Sequence, residues 1–541
     1  MPPSVQGPCG GVPAAHTHPN RSRPCAPYNG AVSRTRVRIG VTDALRAAVG
    51  PVPGKEQCMK PSNSRRPPIR RRTSRGTDLW RTLVDPDQDL SARRRVLGDL
   101  LLAYPGRLTI IYFIMLVVIA TVLLTLPVSS RSPGSTDPLT AFYTAVSALS
   151  TCGIPIVNST EHWSVFGQCV ILVSVQLGGL GVMTFASLIM LATARHLRAS
   201  QRLRTANELG ASALGETRDV LAVVFATTFI IEGITFAALF PGLFSINRGD
   251  WGQTAWEALF YAVSAYNNTG FTPDAAGLHV NSPAVGLPIL LSAFCGTLGF
   301  PVLLNLARAC RRRIPPRRWQ LHTKLTLVTT FALVLCSLLW YVAVEWNNPR
   351  LYADADLGVK LQAALSAAVM PRSAGFDLSW VPELSDPTRV FMSMLMFIGG
   401  GSSSTAGGIR VTTLAVLVLT CRAALTGHGD VTAFRRRLPM RVVMMAVSVT
   451  LIFALLTFAA SLALMFVTDK PLSDVLFEAC SALSLGGYSV GVANAQEPAT
   501  LVILALLMIA GRIGPTSVVY AISRPHATEA LRYPEESIIV G

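Results

Sequence analysis

Residues 397–413 read FIGGGSSSTAGGIRVTT, between the apolar runs MSMLM before and LAVLVL after. The stretch is either a loop joining two helices or a break inside one. With its flanks it forms a single apolar region, 389–420, of about 32 residues, longer than the roughly 20 that cross a bilayer. An ordinary loop between two spans would invert everything after it. The basic segment 422–441 would then lie outside the cell, against the positive-inside bias. The stretch is therefore expected to be a break within one span. Unpaired backbone groups are costly in lipid, so the break must line a polar, water-filled cavity. Gly399, Gly400, Gly401, Gly407 and Gly408 remove helical preference, while Ser402, Ser403, Ser404 and Thr405 can satisfy freed backbone groups around Ala406. A segment of such low local stability rearranges cheaply, which suits a gate.

The rest of the chain has the composition this reading needs. Half of the 541 residues are hydrophobic and 14% are charged, too apolar for a soluble chain of this length. The net charge of +17 is not spread evenly: residues 1–95 hold 18 Lys and Arg against 6 Asp and Glu. This Pro/Arg-rich leader has no apolar stretch, so it is neither a signal peptide nor a folded domain. It is expected to be a disordered basic tail near anionic membrane lipid, with no nucleic-acid role; a later start at Met59 is the alternative reading. Ten cysteines form no CxxC pair, and Cys169, Cys295 and Cys336 lie in apolar runs, as packed free cysteines do. His322 and His428 sit in basic loops without metal-ligand partners.

Eight apolar runs are long enough to span: 106–127, 164–192, 219–242, 284–307, 323–345, 389–420, 441–467 and 498–521. Between the members of each successive pair lies a shorter semi-apolar segment that suits a re-entrant helix. The loops joining one pair to the next, 193–218, 308–324 and 422–441, carry 17 Lys and Arg, against about seven on the opposite side. Those basic loops are therefore expected to be cytoplasmic, with both termini inside and every re-entrant segment entering from outside.

The four short segments resemble one another. They read LTAFYTAVSALSTCGIP (139–155), AWEALFYAVSAYNNTGFT (255–272), LQAALSAAVMPRSAGFD (361–377) and VLFEACSALSLGGYSVG (475–491). Three carry Ser-Ala with a glycine six residues after the serine: Ser147/Gly153, Ser264/Gly270 and Ser481/Gly487. In the third, Arg-Ser-Ala-Gly-Phe puts Gly375 in the matching slot. One such glycine would be read as a helix terminator. Four, each between two spans and on the same side, point instead to a filter. Glycine takes φ > 0 at little cost, so consecutive carbonyls can turn toward one axis and replace the water shell of a dehydrated cation. The expected fold is an all-α membrane protein of four span–pore-helix–span repeats, eight transmembrane helices in pseudo-fourfold arrangement around one pore. The repeats are placed at 100–200, 210–310, 320–422 (with the gate loop) and 438–525, followed by a C-terminal tail, 526–541. The candidate filter comprises Thr151, Cys152, Gly153, Asn268, Thr269, Gly270, Ser373, Ala374, Gly375, Leu485, Gly486 and Gly487.

Single-glycine pore loops in a fourfold repeat resemble the Trk/Ktr/HKT superfamily of potassium transporters, over roughly residues 100–525. QLGGLGVMTF (176–185), GTLGFPV (296–302), the opening stretch and GRIGPTS (511–517) carry the resemblance. Eight spans without an extra N-terminal pair are most similar to the Ktr-type membrane subunit. The resemblance implies potassium uptake across the plasma membrane, potassium at filter carbonyls and no covalently bound cofactor. It also implies a homodimer with one pore per subunit and a cytoplasmic ring of nucleotide-binding regulatory subunits. It places a pore-blocking intramembrane loop in the third repeat, with an arginine matching Arg512 beneath the filter. Cys152 stands where the family usually has threonine or a small residue, and Gly486 is an added glycine before the filter position. A less selective sodium/potassium transporter of the same fold is the alternative.

An arginine at mid-membrane is costly, so Arg512 is expected to face the pore or a partner; snorkelling to the cytoplasmic rim is the other reading. Arg410 belongs to the cytoplasmic mouth or to the rim. Glu232, in FIIEGITF, reads as the partner of a buried donor or helix end, and Gly178, Gly179 and Gly181 as close helix packing. No paired carboxylates, His cluster or nucleophile–base set suggests an enzyme. Repeats that all run in one direction also disfavour an inverted-repeat carrier.

Overall fold

A computed structural model of the chain describes residues 105–132, 134–181, 216–273, 282–352, 357–372, 374–376, 380–427 and 429–514. All belong to one compact unit, Trp80–Gly541. The expectations for the leader 1–95, the tail 526–541, Ser373, His428 and the run ends 182–192 and 515–521 fall outside these residues.

The described residues are almost entirely helical. In chain order they form α1 (Pro105–Thr125), α2 (Pro138–Ser150), α3 (Val165–Gly179), α4 (Glu216–Ile246), α5 (Trp251–Tyr266), α6 (Pro283–Leu298) and α7 (Phe300–Arg311). There follow α8 (Leu321–Val344), α9 (Leu357–Val369), α10 (Asp386–Ile398), α11 (Val411–Leu425), α12 (Met440–Val467), α13 (Leu472–Ser484) and α14 (Pro498–Ile513). A two-residue hairpin pairs Thr432 with Arg437 and Ala433 with Arg436 in the basic loop before α12.

Local chemistry sets where the short helices begin. Asp137 accepts a bond from Thr140 N at 3.0 Å and precedes Pro138, so α2 starts with a cap and a proline in the first turn. Asp250 caps α5 by accepting from Gly252 N and Gln253 N. Along the longer helices, Thr121, Ser174, Thr235, Ser337 and Thr457 return their hydroxyls to the carbonyl four residues back. This lets a polar residue sit in an apolar helix without an unsatisfied group.

Among the described residues, three helical stretches are long and apolar enough to cross a membrane alone: Val224–Ile246, Leu321–Val344 and Met440–Val467. Large apolar side chains stand exposed along α1 (Val118, Val122), α4 (Ile230, Ile234), α8 (Leu335, Leu339) and α12 (Leu451, Leu455, Phe458). Such a surface suits lipid rather than water.

The run 284–307, expected as one continuous span, is bent by 102° between α6 and α7. Gly299 at the bend has φ +88° and ψ 149°, which an L side chain rarely adopts, and Pro301 in the first turn of α7 lacks an N–H to continue α6. The freed Phe300 N donates to Ser403 O at 3.2 Å. The bend is thus locked to the 397–413 stretch.

Packing follows a repeated rule. Helix α2 lies against α1 and α3, α5 against α4 and α6, and α13 against α12 and α14, while α9 packs on α8. Each helix after a short one also meets the next short one: α3 meets α5, α6 meets α9, and α10 meets α13. Helix α14 then returns to α2 and closes the circuit.

Candidate functional site

Each short helix ends in a turn that reverses the backbone. Thr151, Asn268 and Leu485, two residues before their glycines, sit in the left-handed region at φ 59°, 57° and 57°. The next residue folds back onto the helix: Cys152 N donates to Ser147 O (2.9 Å), Thr269 N to Ser264 O (2.9 Å) and Gly486 N to Ser481 O (2.7 Å). Then come Gly153, Gly270 and Gly487 at φ 85°, 79° and 82°. The third turn differs. A 3-10 turn, Met370–Arg372, extends α9, Ala374 N donates to Met370 O (2.8 Å), and Gly375 has φ 58°.

The four glycines meet one another in a ring. A Cβ on Gly153 would overlap the carbonyl oxygen of Thr269. One on Gly270 would lie 2.7 Å from the oxygens of both Ala374 and Gly375, and one on Gly375 would lie 2.6 Å from Gly487 Cα. One on Gly487 would lie 2.5 Å from Cys152 O, which returns to the first strand. Every described member of the candidate set is buried except Gly270, which is half-buried. The Cys152 thiol turns to Ser481 O at 3.8 Å, so it packs on α13 and leaves its carbonyl at the ring. No three His, Cys, Asp or Glu among the described residues could hold a metal ion. The ligand chemistry available at the ring is backbone oxygen.

Residues 399–410 form a non-helical loop between α10 and α11, held on both sides. Ile409 N and Arg410 N donate to Phe397 O and Ile398 O, and Val411 N to Gly400 O, so the loop closes on its own stem. Gly401 N donates to Thr297 O (2.8 Å) at the α6–α7 bend, and Ser402 and Thr412 hydroxyls share a 2.7 Å bond. Its far side reaches three of the four glycine turns, at the position two before the glycine. Thr151 Oγ1 donates to Thr405 O (3.2 Å), the Asn268 amide and Thr405 hydroxyl are bonded at 2.7 Å, and Gly407 lies against Ser484 and Leu485.

Two guanidinium groups grip this loop. Arg410 donates to Gly401 O and Ser404 Oγ, both at 3.1 Å, and to Ala406 O. Arg512 donates to Thr405 O (2.9 Å), Thr151 Oγ1 (3.0 Å) and Gly178 O. Both arginines therefore turn inward to the loop, and neither extends to the rim. Glu232 is buried and accepts from Gln176 Nε2 and Asn267 Nδ2, both at 3.2 Å, beside the end of α5. It supports a helix terminus, as its sequence suggests.

Close packing also accounts for the span glycines. A Cβ on Gly178 would strike the carbonyl of Leu149, and one on Gly179 the amide of Asn267. Gly296 and Gly511 stand in the same relation to the carbonyls of Tyr266 and Leu483. The sequence reading missed these two contacts; a glycine recurring in the helix after a short segment was the available signal. It also missed the Ser147 and Ser264 hydroxyls and Tyr488, which act on the glycine strands.

The sequence model of the TrkH family, described as Cation transport protein, matches residues 103–530. Ktr system potassium uptake protein B of Bacillus subtilis is 32% identical over 439 residues, covering 81% of this chain and 97% of that protein. Potassium/sodium uptake protein NtpJ of Enterococcus hirae is 28% identical over 445 residues, covering 81% and 97%. The crystal structure of the potassium transporter TrkH from Vibrio parahaemolyticus superposes with a TM-score of 0.59 at 16% identity, covering 76% of this chain and 84% of that one.

Proposed function

Because the chain belongs to the TrkH family of cation transport proteins, we propose that it takes up potassium through a pore whose filter and gate are the glycine ring and the 399–410 loop. This is a family of membrane transporters rather than enzymes. The observation that carries the reading is the cyclic approach of Gly153, Gly270, Gly375 and Gly487, each leaving no room for a side chain against the next strand. Carbonyls converging there supply the uncharged oxygen shell that a dehydrated potassium ion needs. Thr151, Cys152, Asn268, Thr269, Ala374, Leu485 and Gly486 complete the described part of the four strands.

In this reading eight spans in four repeats surround the pore, with the broken pair α10–α11 counted as one span and the bent pair α6–α7 as another. The circuit in which α14 returns to α2 supports a closed fourfold arrangement. Both termini and the basic loops lie in the cytoplasm, and the chain sits in the plasma membrane. The loop contacting Thr151, Asn268 and Leu485 obstructs the path on the cytoplasmic side of the ring, and Arg410 and Arg512 hold it there. Opening requires breaking the bond from Arg512 to Thr405. The relative's place in a Ktr system supports a partner regulatory subunit. That the chain is a homodimer and that the partner is a cytoplasmic nucleotide-binding ring belong to this reading through the resemblance to Ktr-type subunits. Cys152 turns its thiol to Ser481 O, so in this reading it offers the ring a backbone carbonyl like its counterparts.

The test is growth. Expressed in a strain without its own potassium uptake, the chain should restore growth on limiting potassium, and Gly270→Ser should not. No rescue by the intact protein, present in the membrane together with a regulatory ring, would overturn the assignment.

A further inference from the structure

Three short helices carry a serine six residues before the glycine, and the third carries Val369 in that slot. The serine has a defined task in the first two repeats. Ser147 Oγ donates to Ile154 O (3.3 Å) and Ser264 Oγ to Phe271 O (2.8 Å), so each ties the carbonyl just past its glycine to its own helix. Val369 is buried and has no hydroxyl to offer the equivalent carbonyl of Phe376. That carbonyl accepts instead from Tyr488 Oη at 3.1 Å. Tyr488 directly follows Gly487, so the donor comes from the neighbouring strand. Ser481, the fourth serine, has a buried hydroxyl with no partner among the described residues.

The ring is therefore braced in two ways. Strands one and two are each fastened to their own helix, while strand three is fastened to strand four by one phenol. Tyr488 is fully buried, its ring edge-on to Trp380 at 5.8 Å, and Trp380 is edge-on to Tyr341 at 6.1 Å. These aromatic contacts set the reach of the hydroxyl. We propose that Tyr488 is a specificity-determining positioning residue, whose hydroxyl fixes the spacing of strands three and four at the width potassium requires. The proposal rests on the glycine ring being the filter.

Tyr488→Phe removes the bond and keeps the aromatic packing, and Val369→Ser offers Phe376 O the brace that Ser147 and Ser264 provide elsewhere. Potassium and sodium influx should be measured in proteoliposomes for both single variants, the double variant and Gly270→Ser. Tyr488→Phe should lower the potassium-to-sodium ratio on the order of 2- to 12-fold, as loss of one neutral hydrogen bond implies, with maximal flux retained. Val369→Ser in that background should restore the ratio at least in part. An unchanged ratio in Tyr488→Phe, with a lowered ratio in Gly270→Ser, overturns the tie and leaves the filter standing; unchanged ratios in both overturn both. A lowered ratio that Val369→Ser does not restore also overturns it, because the phenol then acts by packing. Should Tyr488→Phe fail to assemble alone, the double variant decides: recovery with potassium preference supports the tie, and failure refutes it.

Discussion

Replacing Arg512 with alanine is expected to open the pathway without a partner. One bond runs from the guanidinium to the loop, to Thr405 O at 2.9 Å, while its others go to Thr151 Oγ1 and Gly178 O. A hydrogen bond from a charged donor contributes about 1.5–3 kcal/mol net. Losing that bond shifts the closed–open equilibrium by roughly 10- to 150-fold, since about 1.4 kcal/mol is a factor of ten. The loop is not freed entirely, because Thr405 keeps its bonds to Thr151 and Asn268. Charge acts in the same direction: a unit charge about 4 Å from a passing cation opposes it by about 4 kcal/mol at an effective dielectric near 20. The assay is potassium flux into proteoliposomes holding the purified protein alone, alongside its potassium-to-sodium ratio. Partner-free flux should rise at least about tenfold, by the population shift alone, with the ratio unchanged. Arg512→Lys, which keeps the charge but not the fork, should fall between. If Arg512→Ala reaches the membrane normally and its flux equals or falls below that of the parent, the latch and the barrier are both wrong.

Serine at the ring glycines should act by rank. At Gly270 the added Cβ, 2.7 Å from two backbone carbonyl oxygens, forces the neighbouring strand to shift and lowers potassium preference, whereas at Gly153 it overlaps Thr269 O and should reduce recovery of folded protein more severely. The left-handed backbone adds about 1–3 kcal/mol of strain at either site; unchanged ion preference in all four single serine variants would refute the filter. Deleting Ser402 to Gly407 removes Thr405 and the contacts to the glycine turns, so the protein should conduct without its partner and keep its ion preference. A well-expressed deletion that stays silent would reduce the loop to a kink. Glu232→Ala leaves the Gln176 amide short of an acceptor, while Asn267 keeps Gln176 Oε1 and Val263 O, and should destabilise the detergent-solubilised protein by about 1–3 kcal/mol in a thermal melt, with ion ratio intact. A shifted ratio at unchanged stability would make Glu232 part of the conduction path.

Much of this architecture was legible because it repeats. A glycine six residues after the serine of Ser-Ala, recurring between apolar runs, located three glycine turns, and Gly375 followed from its neighbours. The non-helical loop at 399–410 was legible through its glycines and serines, which carry little helical preference. What stayed hidden depends on contacts between distant segments. Gly299 looks like any glycine in an apolar run, and the contact that locks its 102° bend comes from Ser403, more than a hundred residues later. Arg512 carried two open readings because nothing local distinguishes a rim arginine from one that reaches Thr405 and Thr151. Tyr488 was not singled out, because its target, Phe376 O, belongs to another of the four segments.

The return of α14 to α2 has a consequence for the order of synthesis. The circuit joins the first repeat to the last, so its final seam forms only when nearly the whole chain is in the membrane. That last helix also brings Arg512, which binds Thr151 from the first repeat and Thr405 from the third in one step. A nascent chain that stops short of it has neither a complete wall nor a complete latch. In the proposed reading, the helix that completes the conduit is also the one that shuts it, so a finished pore would never exist without its bolt.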